Sequence, residues 1–107
     1  MDENSRLLIE LVANEIGIHK KVKSSEEFTN ELVIAVEELL QKNFPRLVQV
    51  LYRLDVDEEK LKRQLRNNQS TRAAEIIARM IIDRQAEKQE ARKNFGTQGN
   101  VSEEEKW

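Results

Sequence analysis

His19 is the only imidazole in the 107-residue chain, so acid–base or nucleophilic chemistry would have to be built around it from Ser24, Ser25 or Glu15. No motif joins these residues. His19 stands with Lys20 and Lys21 just past the expected end of a helix, where cations complement the negative pole of the helix dipole. The simpler role is therefore a helix terminus. Asp55, Asp57 and Glu59 alternate like the opening of a calcium loop, which needs Gly at its sixth place and Glu at its twelfth. Those places hold Lys60 and Arg66, and the motif fails. A di-iron bundle needs two Glu-x-x-His pairs, and the chain has one His. The absence of Cys removes thiolate nucleophiles, disulfides and thiolate metal sites, and no strand-linked Gly-rich loop is available to cradle a phosphate. No catalytic, metal or cofactor-binding residue is assigned, and the chain reads as non-enzymatic.

The strongest remaining constellation is a helix, a short turn and a second helix between Pro45 and Arg66. Leu51, Leu54, Val56, Leu61 and Leu65 have the spacing that a DNA-binding helix-turn-helix buries, and Lys62, Arg63 and Arg66 lie on its second helix as candidate nucleic-acid contacts. In that motif the first residues of the second helix meet base edges. Here they are Asp57, Glu58 and Glu59, three acids that would face a polyanion. A nucleic-acid-binding accessory protein using the basic stretch 46–72 is thus the alternative, and a protein-protein interaction or self-associating module is the leading expectation.

The elements that must carry these residues are all helical. Three Gly, one Pro and an abundance of Leu, Ile, Glu, Lys, Arg and Ala predict few turns and long helices. The first helix starts near Asn4 or Ser5, presents Leu8, Leu11, Val12 and Ile16, and ends at Gly17. Ser24 and Glu27 have capping-box spacing, with the Glu27 carboxylate returning to the Ser24 N–H, ahead of a helix from Ser25 to Asn43. Its face is Phe28, Leu32, Ala35, Val36, Leu39 and Leu40. Pro45 opens a third helix to Arg53 that buries Leu47, Val48, Val50 and Leu51. Asp57 caps a short fourth helix bearing Leu61 and Leu65. A fifth runs from Ser70 or Thr71 to about Asn94 and stops at Gly96. Its first half, Ala73 to Ile82, seeks the core, whereas residues 83–94 offer only Ala86 and Ala91 as apolar groups and read as a solvated or partner-binding arm. The expected architecture is an all-α compact bundle of about five helices with a long C-terminal helix: one domain over residues 1–96 and a disordered tail over 97–107.

The stretches NFPRLVQVLYRLDVDEEKLKRQL (residues 43–65) and AAEIIARMIIDRQAEKQEARK (residues 73–93) resemble short all-helical bacterial proteins of similar length to which no activity is attached. The resemblance implies the fold and carries over no functional residue.

Charge is 36% of the chain, above the roughly 25% of an average globular protein, and the formal net charge is −2. The distribution is uneven: residues 46–72 hold seven basic and four acidic groups, residues 1–45 five and nine. No apolar run reaches the length of a membrane span, and the acidic start Met1-Asp2-Glu3 is unlike a secretory signal. A cytoplasmic location follows as an expectation. Self-association as a homodimer is expected through apolar surface left on Leu7, Ile9, Ile76 and Ile82.

Overall fold

All five expected helices form, and no strand occurs among the described residues. The computed structural model describes residues 3–19 and 21–98, with side chains over 6–19 and 21–92. The helices are α1 (Glu3–Ile16), α2 (Ser25–Lys42), α3 (Phe44–Arg53), α4 (Glu58–Asn67) and α5 (Ala73–Gln98). Helix α5 runs through Gly96 instead of stopping there, and the expected tail, apart from residues 97 and 98 in α5, lies outside the described residues. At 1.5 Å per residue the 26 residues of α5 extend about 39 Å, most of the 46 Å long axis of the molecule.

The chain's own capping chemistry sets the ends. Gly17 takes φ +91°, and the Ile18 N–H reaches back to the Ala13 carbonyl at 2.9 Å, the six-to-one bond of a Schellman turn. Ser24 Oγ accepts from the Glu27 N–H at 3.1 Å. The return bond differs from expectation: Glu27 Oε1 accepts from the N–H of Lys23 at 2.7 Å, one residue earlier than Ser24. Asn43 serves two helices, closing α2 through its N–H to the Leu39 carbonyl at 2.9 Å and opening α3 with Oδ1 accepting from the Arg46 N–H at 3.3 Å. That double cap lets α3 start within one residue of the end of α2, without a loop. Asp57 Oδ1 accepts from the Glu59 and Lys60 N–H groups at 3.0 and 3.4 Å, as a cap at that position should.

A single core collects residues from every helix: Ile9, Val12 and Ile16 of α1; Phe28, Leu32 and Val36 of α2; Leu47 and Val50 of α3; Leu61 of α4; Ala74, Ile77, Ala78 and Ile81 of α5. Helices α2 and α5 form its centre, and Leu32 and Val36 of α2 and Ala74 and Ala78 of α5 are all fully buried. Full burial of a Leu or Phe contributes about 1.5–3 kcal/mol, so Phe28, Leu32, Leu47, Leu54 and Ile81, the largest fully buried side chains, are the residues whose loss the fold feels most. Two core assignments change. In α1 the inward arc is Ile9, Val12 and Ile16, which leaves Leu11 exposed; in α3 Val48 is exposed while Leu47 and Val50 are buried. Val48 and Val50 lie 200° apart around a helix and cannot both face one core.

Candidate interaction surface

Helix α3 turns six residues outward: Phe44, Pro45, Val48, Gln49, Tyr52 and Arg53. Phe44, Val48 and Tyr52 follow one another at intervals of four, so they stand on one ridge, exposed to 57%, 49% and 83%. Only Arg53 of the six is charged, and its guanidinium lies 3.8 Å from the Glu15 carboxylate of α1. Arg46, half-buried on the same flank, donates from its guanidinium to the Glu15 carbonyl at 3.0 Å. Both α3 cations are thereby drawn toward α1, and the outer ridge is left apolar.

Leu7, Leu11 and Ile34 are the other large apolar residues exposed among the described residues, and α4 is the opposite extreme. Helix α4 exposes Glu58, Glu59, Lys60, Lys62, Arg63 and Arg66. Lys62 Nζ is 3.1 Å from Glu58 and 3.9 Å from Glu59, and the Glu58 carboxylate, which accepts its hydrogen bond, raises the ammonium above the ordinary lysine range. Of the three candidate nucleic-acid contacts, Lys62 is thus engaged within its own helix, and Arg63 and Arg66 share an exposed face with two acids. Between α4 and α5 runs an open groove of about 790 Å³ floored by Val56, Ile76 and Met80, with both signs of charge on its rim, from Asp57 and Lys60 to Arg79 and Asp83. A second groove, of about 400 Å³, lies between Leu11, Arg53, Leu54 and the α5 residues Lys88, Ala91 and Arg92.

The four residues expected to form a self-association surface are not brought to one face. Leu7 is exposed and Ile82 half-buried, but Ile9 is inside the core, and Ile76 is buried apart from what it shows at the floor of the α4–α5 groove. The periodicity 9–12–16 selects Ile9 for the inside of α1, and Ile76 is covered where α5 packs in the bundle. His19 is exposed in the connector after α1. Among the described residues no three His, Asp or Glu side chains come together as a metal-holding group, and no helix is long and apolar enough to cross a membrane.

The second half of α5 also departs from expectation. Residues 84–88 do not project as an arm: Arg84 Nε donates to the Asp55 carbonyl at 2.9 Å, Gln85 Nε2 to the Leu54 carbonyl at 2.5 Å, and Lys88 Nζ pairs with the Asp55 carboxylate at 2.8 Å. These three side chains grip the turn that ends α3. Asp55 has φ +61°, and the Val56 N–H bonds to the Leu51 carbonyl at 3.0 Å, so α3 closes with the same six-to-one bond as α1. The hydrogen bond and charge of Lys88 hold the Asp55 carboxyl below its ordinary range. The clamp thereby fixes the C-terminal end of the exposed ridge, two residues after Tyr52.

Sequence reasoning misses the ridge because periodicity alone assigns Val48 to the core. The available signal was a second ladder, 44–48–52, running beside the inward set 47–50–51–54. Comparisons with protein-family models, curated proteins and solved structures found no match to the chain.

Proposed function

We propose that this chain is a non-enzymatic protein-interaction module of the cytoplasm that docks through the outer ridge of α3. One observation carries the proposal: Phe44, Val48 and Tyr52 expose a continuous apolar ridge on a protein whose remaining surface is densely charged. Aromatic residues anchor interfaces because they remove large areas from water while ordering only two side-chain torsions, and charge is depleted at interface centres. The ridge has both properties, with Tyr52 as its most exposed member. Anchors at every fourth residue are also how one helix enters a partner's groove or packs on a partner's helix. The likeness of residues 43–65, which contain all of α3 and its clamped turn, to short all-helical bacterial proteins belongs to the proposal only as a reading of the fold.

A photo-reactive phenylalanine placed at position 52, expressed in the source cell and irradiated, tests this. The expected result is a discrete covalent adduct with protein that is absent when the same group replaces Ile34, an exposed apolar residue on the outer side of α2. Equal labelling from both positions, or none from position 52, would overturn the proposal.

A further inference from the structure

We infer that α4 is a hinged segment, which detaches from α5 and unwinds while the rest of the bundle stays folded, and so uncovers the α5 face beneath it. That face lies apart from the α3 ridge, and its opening is independent of what docks there.

Helix α4 is the least secured of the five. Helices α1, α2, α3 and α5 each pack against at least two others, whereas α5 is the one substantial neighbour of α4. Leu61 is the sole buried side chain that α4 brings to the core, with Gln64 and Leu65 half-buried beside it. Even this contact is incomplete, because the open groove of about 790 Å³ runs between the two helices over Val56, Ile76 and Met80. Polar bonds do not make up the difference. Lys62 pairs with Glu58 and Glu59, Asn68 Nδ2 donates to the Gln64 carbonyl at 2.8 Å, and the Asp57 cap serves the N–H groups of Glu59 and Lys60. Among the described residues no side chain of α4 hydrogen-bonds or pairs with another helix.

Both ends, by contrast, are anchored. Before α4, Arg84 and Lys88 grip Asp55; after it, Arg72 Nη2 lies 3.6 Å from Glu37 of α2, and Ala74 is fully buried. Residues 56–71 are thus strung between two points that other helices hold. Once its apolar contact opens, α4 does not persist as a free helix, because it has ten residues and isolated helices shorter than about 12–15 residues are marginal in water. Detachment therefore means unwinding. It gives up only the contacts of Leu61 and Leu65, whereas global unfolding must also expose the α2–α5 centre, so the local opening is the more frequent event. With α4 gone from one wall of the groove, Ile76 and Met80 face water as an apolar strip on α5 that the closed form largely covers. An order-to-disorder change in one segment between fixed ends is one of the ways in which folds switch.

Hydrogen exchange of the full chain, followed residue by residue by NMR over a series of low urea concentrations, tests this. Amides inside α4, from Lys62 to Arg66, should exchange at least roughly a hundredfold faster than those from Leu32 to Val36 in α2, and with a much weaker dependence on urea because little surface opens. Val36→Ala weakens the closed and the α4-open forms alike, since Val36 belongs to the centre that both retain. It should therefore speed exchange in α2 at least about tenfold and leave the α4 amides at parental rates. One common rate and urea dependence for α4 and α2 in the parent, or α4 amides that accelerate together with those of α2 in Val36→Ala, would show that α4 opens only with the whole molecule and overturn the inference. Should Val36→Ala not fold, the two urea dependences of the parent decide alone.

Discussion

Gln85 reaches from α5 to the end of α3 and donates from Nε2 to the Leu54 carbonyl at 2.5 Å, with both residues closed off from water. A buried carbonyl that loses its donor keeps the cost of its desolvation, about 1–3 kcal/mol. Gln85→Leu preserves most of the volume and removes the donor, so its unfolding free energy in urea should fall by about that amount. An unchanged urea midpoint would show that the bond does not hold the turn.

The neighbouring pair gives a pH signature. Lys88 holds the Asp55 carboxyl below its ordinary range, first through the hydrogen bond and then through charge. A group whose folded pKa is depressed contributes stability that is present above its unfolded value and is lost as pH falls through the folded one. The difference in urea midpoint between the parent and Lys88→Met should therefore favour the parent at pH 7 and shrink toward pH 2. Because the pair is exposed, the difference will be small, and salt should reduce it further. A gap that widens on acidification would contradict the assignment.

Gly17 and Asp55 both take positive φ at the ends of helices, but only one was legible beforehand. A glycine after a periodic apolar run announces a C-terminal turn by itself. Asp55 is a weaker signal, and its turn is held in addition by Arg84 and Lys88, which arrive from 29 and 33 residues away to bond its carbonyl and carboxylate. An added Cβ at Gly17 would meet nothing within 4 Å, so Gly17→Ala isolates backbone strain from packing and should destabilise by about 1–2 kcal/mol. Thermal unfolding of the variant measures it, and an unchanged melting temperature would mean the turn relaxes.

Local signals were thus readable: the Ser24 and Asp57 caps, the Gly17 stop and the α2 face all depend on residues within one or two helical turns. Depth within a face was not. Leu39 looked central to α2 by spacing, yet it is only half-buried, while Leu32 and Val36 are fully enclosed. Leu32→Ala should cost about 2–5 kcal/mol, a large fraction of the stability of a small domain, and Leu39→Ala distinctly less. The reverse order in chemical denaturation would displace the α2–α5 contact from the centre of the core.

The basic stretch 46–72 supplies the last test, because its charge looked usable in sequence and part of it is engaged locally in three dimensions. Arg46 and Arg53 turn to Glu15, Lys62 to Glu58 and Glu59, and Arg72 Nη2 lies 3.6 Å from Glu37. Binding to a polyanion gains from releasing its counterions, and a cation already neutralised by a carboxylate must give up that partner first. The chain should therefore elute from immobilised duplex DNA with the void volume at ~50 mM salt, and Lys62→Ala, Arg63→Ala and Arg66→Ala combined should leave that elution unchanged. Retention that falls steeply with added salt and vanishes in the triple variant would instead make the outer face of α4 a nucleic-acid contact, and would put the second helix of the helix-turn-helix arrangement back into use despite its acidic first turn.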